Sequence, residues 1–377
     1  MRAALLAASL LASAPAALAG TIQVPADQPT LALAIQAAAA GDVIVVAGGS
    51  HPPITIDKPL TIIGAPQATI FNTVAVGPAV PPAITLAGPG GGAVRLENVK
   101  TLGAANGLVF ATAGSGIAGG GFDALEVHDS SIAPSTWFNL TGIGIGAPAI
   151  DVSVPLVTIA RSFVEGGQTQ TDACDYAGVP DGAVGVRAQS ATVVVLDSIV
   201  RGGRGPDLCF SPGLCPGNCP CPFLGGLGGT GVEALRVLRS NSTIEGGAGQ
   251  LVQCGDQPTG TQPDGADVLT AEEIDLGHEL MAPTPLVTGA NFTLYWFTTG
   301  SPALLAFSTP DAPQLVPGAG WLFATAATLF TTPVPGGTGA LNAQVPADPN
   351  LVGVPLAVQV YDPLTDLTNP FIGVIRP

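Results

Sequence analysis

Three segments, RSFVEGG (161–167), DSIVRGG (197–203) and NSTIEGG (241–247), carry one pattern: a polar or charged residue, Ser, a variable position, an aliphatic, a charge and a double glycine. A fourth, DSSIA (129–133), shares its first half. Aligned on the aliphatic, the chain yields a column Ile132, Val164, Val200, Ile244, with Ser130, Ser162, Ser198 and Ser242 two places earlier. If each segment is a short strand lying parallel on the last, neighbours stand about 4.8 Å apart. Asp129, Arg161 and Asp197 then form a column of alternating sign, and Glu165, Arg201 and Glu245 form a second. Facing opposite charges stabilise such a stack and like charges oppose it. The changing signs therefore predict parallel stacking of successive coils.

The first ordered stretch, TIQVPADQPTLALAIQAAAAGDVIVVAGGSHPPITIDKPLTIIG (21–64), opens the same architecture. Thr30 can cap a short helix over 30–40 that presents Leu31, Ala34, Ile35 and Ala38 on one face. Gly41-Asp42 ends it, and VIVV, ITI and LTIIG read as strands. The segment resembles the opening of secreted right-handed parallel β-helix proteins of the pectin-lyase-like superfamily. The residues that carry the likeness are Val24-Pro25, Asp27, Pro29-Thr30, Ala34-Ile35, Gly41-Asp42, Ile44, Val46, Lys58-Pro59, Thr61-Ile62 and Gly64. The turn GGSHP (48–52) departs from the Gly-Thr-Tyr-like turn common there. The resemblance implies an all-β fold: a right-handed parallel β-helix whose first end is covered by an N-terminal capping helix. It implies no particular activity, because that fold hosts lyases, hydrolases, esterases and adhesins.

The phrases recur at intervals of 36 and 44 residues, longer than a bare coil of roughly 20 to 25. The surplus follows the double glycine each time. These glycines are expected to turn the chain out of the wall into loops 168–182, 204–230 and 248–266, leaving one corner side by side. All six cysteines, Cys174, Cys209, Cys215, Cys219, Cys221 and Cys254, sit in these loops. Stacking favours Cys174 and Cys254 each bonding into the middle loop, with the two remaining middle cysteines paired. A zinc site at CPGNCPC (215–221) is the alternative, disfavoured by the prolines and by the lack of a nearby His.

The start, MRAALLAASLLASAPAALAG, reads as a secretory signal over 1–19: Arg2, an apolar run Ala3–Leu11, and Ala17-Leu18-Ala19 before Gly20. An oxidising destination agrees with an even cysteine count. A secreted or cell-surface protein with no membrane span is expected. Charged residues are only 10%, and the formal net charge is −16 with Lys58 and Lys100 the sole lysines. That balance excludes nucleic acid and disfavours other polyanions. Neutral glycans or cell-envelope components are the expected partners.

The β-helix is assigned to 20–255. Residues 256–284, with Asp256, Asp264, Asp267, Glu272, Glu273 and Asp275, read as an acidic linker or end cover. No cofactor is expected. Calcium in that segment is the one candidate, although its spacing matches no standard loop. From 285 to 377, short strands at Gly/Pro turns predict an antiparallel β-sandwich. VPADPNLVGVPLAVQVYD (345–362) and LTNP (367–370) resemble the small C-terminal β domains of secreted bacterial repeat proteins.

Catalytic candidates are sparse. Arg161 and Arg201 are the bases available on the repeated wall, Asp197 is a carboxylate between coils, and His128 adjoins Asp129. The alternating columns already engage both arginines, and a flanking carboxylate opposes loss of their protons. His128 is expected to face outward or sit in a turn. Arg376 is expected at the far end of the other domain. The sequence therefore favours a non-catalytic binding or structural module. The alternative is a polysaccharide lyase or glycoside hydrolase with an atypical site near the Cys-bearing loops.

Overall fold

The computed structural model describes residues 19–71, 80–103, 111–135, 143–171, 181–205, 208–209, 226–249, 251–254, 257–261, 263–276, 280–281, 285–298, 302–317, 319–325, 329–362 and 366–377. The protein is all-β, built on a large curled parallel sheet with antiparallel sheets after it. Three columns of parallel strands make up the large sheet, so each coil contributes one strand to each face. On the first face Ile44, Ile62, Leu96, Val127, Ile159 and Val195 are in register from coil to coil. On the second, Ile70, Thr101, Ile132, Val164, Val200 and Ile244 are in register, as the repeated phrases require. On the third, Ile54, Ile84, Ile117, Ile150, Val186, Val232 and Val268 follow one another. These aliphatics bury into one continuous core. β-Branched residues predominate because a pleated, half-buried surface accommodates them best.

The helix spans Leu31–Ala37, with Thr30 Oγ1 accepting from Leu33 N at 3.3 Å. Leu31, Ala34, Ile35 and Ala38 all join the core, and the helix packs on strands of the first coil. The acidic segment is more regular than an irregular linker. Val268–Leu269 and Glu272–Asp275 pair in parallel with Val232–Ser240, so the large sheet runs on to Asp275. At this last coil the first-face column passes from Val195 to Arg239, whose Nε lies 3.1 Å from Glu273 Oε1.

The corner between the first and second faces has its own logic. Asn98, Asp129, Arg161, Asp197 and Asn241 all take positive φ, between 45° and 53°. Asn and Asp tolerate this left-handed region better than most residues, and Arg161 occupies it inside an otherwise Asn/Asp column. The serines beside them form a ladder. Val99 N donates to Ser130 Oγ, Ser130 N to Ser162 Oγ, Ser162 N to Ser198 Oγ, and Ser198 N to Ser242 Oγ, at 3.0–3.1 Å. Each hydroxyl in turn donates to the carbonyl two residues back, at 2.6–2.8 Å. The N–H groups of Val99, Ser130, Ser162 and Ser198 are thereby satisfied within the corner.

The double glycines do their work differently from the sequence expectation. None of Gly166, Gly167, Gly202, Gly203, Gly246 and Gly247 has positive φ. They interleave with returning backbone instead. Ala183 N donates to Gly167 O, Gly203 N to Ala183 O, Gly229 N to Gly203 O, Gly247 N to Gly229 O and Gly265 N to Gly247 O, at 2.6–3.1 Å. A Cβ on Gly203 would stand 1.9 Å from Gly167 O, so glycine is needed for close approach. The loop bases do lie side by side: Thr169 N donates to Arg204 O and Gly205 N to Ala248 O.

From Leu280 onward the described strands form antiparallel sheets. Leu280–Met281, Asn291–Phe297 and Thr338–Gln344 make one. Phe330–Val334, Ala303–Ser308, Pro355–Asp362, Asp366–Leu367 and Phe371–Val374 make another. They share a core of Phe292, Leu294, Trp296, Leu305, Val358 and Val360. The stretch WLFATAATLF contributes to two strands, Gly320–Ala324 and Phe330–Val334. Phe323, Ala357 and Ile372 pack on Ala160, Val194, Leu196 and Leu238, so these sheets cover the outer side of the first parallel face.

Candidate functional site

The densest group of ionisable residues lies under that cover. His128 ends the strand Ala124–His128, beside the left-handed corner at Asp129. Its register neighbours are Glu97 on the preceding coil and Ala160 on the next. His128 faces out of the parallel wall, as expected, yet it is 1% exposed because the wall is covered there. The C-terminal strands roof the wall position it occupies, through Ile372 against Ala160.

Glu97 is as deeply buried, and Arg376 meets it. Arg376 Nε donates to Glu97 Oε1 at 2.5 Å. Arg376 Nη2 also lies 2.7 Å from Asp129 Oδ2, without the alignment of a hydrogen bond. Arg161 binds the same carboxylate through Nη2 at 2.9 Å and through Nε at 3.2 Å. Its Nη1 donates to Ile372 O at 2.8 Å, and its guanidinium stands 5.0 Å from the Phe371 ring centre. Burial pushes the Asp129 carboxyl upward, but Arg161 and then Arg376 outweigh it and leave it below the ordinary carboxylate value. Arg376, expected at the far end of the other domain, is thus one of the residues that join it to the parallel sheet.

The imidazole is poorly served. His128 Nδ1 lies 3.5 Å from Glu97 Oε2 and Nε2 lies 3.8 Å from Glu126 Oε2, and neither contact is a hydrogen bond. Glu126 is engaged by Arg95 Nε at 2.8 Å. A general base must reach a substrate proton. The roof of strands leaves His128 no such access.

The structure brings His128 and Arg161 into one cluster and leaves the other two candidates apart. Asp197 accepts from Asn241 Nδ2 at 2.8 Å. Arg201 donates from Nε to Glu245 Oε2 at 2.7 Å and sits 6.0 Å from the Phe163 ring centre. Glu97, Glu126 and Arg376 were missed from sequence. Extending the repeat one coil back aligns Glu97-Asn98 with His128-Asp129, and that alignment would have exposed Glu97.

Of the cysteines, Cys174, Cys215, Cys219 and Cys221 lie outside the described residues. Cys209 and Cys254 belong to Leu208–Cys209 and Leu251–Cys254, which run parallel with Cys209 opposite Gln253. That places the described parts of the middle and last loops next to each other, with Cys209 and Cys254 out of register. Among the described residues, no group of three or more His, Cys, Asp or Glu is arranged to hold a metal ion. His51 Nε2 contacts Ala47 O at 3.2 Å, and His278 lies outside the described residues.

No protein-family model matches the chain. No curated protein sequence matches it either. What the structure defines is therefore a class by architecture: an all-β protein with a β-helix-like parallel stack and an antiparallel β unit packed along its flank.

Proposed function

We propose that this is a secreted or cell-surface protein without catalytic activity, serving as a binding or structural module. In this reading residues 1–19 are a signal peptide. Gly20 to Asp275 form a right-handed parallel β-helix whose first end the helix Leu31–Ala37 caps, and 285–377 form a β-sandwich. Right-handed crossover is the strong rule for parallel strands. Disulfides pin the three adjacent loops, and neutral glycans or envelope components are the partners.

One observation carries the non-catalytic reading. Arg95, Arg161, Arg187, Arg201, Arg236, Arg239 and Arg376 each lie within 3.8 Å of a carboxylate. Eliminative cleavage of a polyanion needs cations for the substrate carboxylate and a base for a carbon-bound proton. Cations already neutralised along the wall serve neither role, and a net charge of −16 repels the substrate.

Incubation with pectate or alginate, with and without calcium, is expected to give no unsaturated product. Growth of that absorbance, abolished by Arg161→Ala or Arg201→Ala, would establish a lyase and overturn the proposal.

A further inference from the structure

A second feature lies on the opposite side of the antiparallel unit. Strand Asn291–Phe297 alternates strictly, with Phe292, Leu294 and Trp296 buried and Asn291, Tyr295 and Phe297 outward. Tyr295 is 41% exposed and Phe297 43%. Its neighbour Thr338–Gln344 sets Ala340 opposite Tyr295, Thr338 opposite Phe297, Asn342 opposite Thr293 and Gln344 opposite Asn291. The outer face thus carries two rings on the central strand, with Ala340 and Thr338 beside them on one side, Met281 opposite Tyr295 on the other, and amides and a hydroxyl continuing the line.

The face is rigidly backed. Trp296, between the two rings in sequence, points inward and donates from Nε1 to Pro335 O at 3.3 Å. Gly339 stands opposite it, and a Cβ there would come 2.2 Å from the indole. The missing side chain lets the indole seat and so fixes the strand carrying Tyr295 and Phe297. Thr293 Oγ1 bonds Asn342 Oδ1 at 2.7 Å, which orients that amide.

Charge narrows the ligand. No Asp, Glu, Lys, Arg or His occurs between Leu280 and Pro310 or between Ala312 and Ala347, in a chain of net charge −16. A charged ligand finds no counter-charge among the described residues of these strands. Two exposed rings offer flat apolar faces, which suit the C–H faces of a pyranose, while amides and hydroxyls suit its hydroxyl groups. The rings' attachment points are two residues apart, about 7 Å along the strand. The two strands give a strip about 24 Å long and 10 Å wide, which Leu280–Met281 broadens at the ring-bearing end. A stable protein interface needs about 800 Å² per partner, so the strip fits a linear chain of sugars better than a second copy.

We propose that the outward face of Asn291–Phe297 and Thr338–Gln344 binds a neutral, linear polysaccharide lying along the strands, with Tyr295 and Phe297 as stacking platforms. Binding here is independent of whether the parallel stack is catalytic.

The test is calorimetric titration of the full chain with cellohexaose, xylohexaose and mannohexaose, with hexagalacturonate as the charged control. At least one neutral hexasaccharide is expected to bind, and hexagalacturonate is not. Tyr295→Ala/Phe297→Ala is expected to weaken binding by 10-fold or more. Leu315→Ala, an exposed apolar control on another strand, is expected to leave it unchanged. Tyr295→Phe should retain most of the affinity. If the double variant fails to fold, ring resonances of Tyr295 and Phe297 in the unaltered chain are expected to shift on adding the binding hexasaccharide. Absence of binding by all three neutral sugars overturns the proposal. So does binding indifferent to the double variant, unmoved ring resonances, or a dimer that the double variant dissociates.

Discussion

Gly203→Ala tests the packing of the loop bases. The added Cβ would meet Gly167 O at 1.9 Å, Gly167 C at 2.6 Å and Ala183 N at 3.0 Å, all of them backbone. No side chain can rotate aside, so one of the two segments must move by more than an ångström. That motion breaks Gly203 N–Ala183 O, now 2.6 Å, and Ala183 N–Gly167 O, now 3.1 Å. Each such bond contributes about 1 kcal/mol net. Overpacking adds about 1–3 kcal/mol. The sum is roughly 3–5 kcal/mol, or about 10 °C in melting temperature for a unit of this size. Gly90→Ala is the comparison. Gly90 has φ +104° and nothing within 4 Å of its Cβ, so only backbone strain of about 1–2 kcal/mol applies. Thermal unfolding followed by far-ultraviolet circular dichroism reads both. If Gly203→Ala costs no more than Gly90→Ala, the close interleaving of loop bases is wrong.

Three further outcomes follow from the charge network. Arg376→Ala strips the partner from the buried Glu97 and should destabilise by about 3 kcal/mol, while Glu97→Gln/Arg376→Met should recover much of it, both read by denaturant titration. Asp129 is held below its ordinary value, so its stabilisation is complete above about pH 4 and is lost as pH falls through the lowered folded value. The melting-temperature gap between the unaltered chain and Asp129→Asn should therefore narrow between pH 5 and pH 2.5, and a constant gap would refute the Asp129 pairing. Arg201→Glu aligns three acids with Glu165 and Glu245 and should cost about 1 kcal/mol, little because Arg201 is exposed, with the loss shrinking in high salt.

The parallel stack was legible because its columns repeat. Ile132, Val164, Val200 and Ile244 need the same inward environment on each coil, so the sequence says the same thing each time. The helix was legible from Thr30 and one apolar face. The role of the double glycines was not, since close approach of two backbones and a turn out of the wall leave the same residue in the sequence. The buried cluster was hidden for a different reason. Glu97 and Arg376 are 279 residues apart and meet only because the C-terminal strands fold back on the first face. His128 reads as outward because its wall position is outward by period, and period says nothing about a roof added later. The acidic stretch 256–284 concealed strands because Glu272 and Glu273 face Arg236 and Arg239 across the coil rather than water alone.

The central claim is that the parallel stack is a scaffold whose wall arginines are paired with carboxylates. Product analysis by mass spectrometry tests it most directly, after prolonged incubation of the purified chain with a panel of neutral and acidic glycans. The account predicts unchanged substrate masses throughout, including for any neutral glycan the chain retains. New reducing ends or unsaturated fragments that disappear in His128→Asn or Arg161→Ala would contradict it.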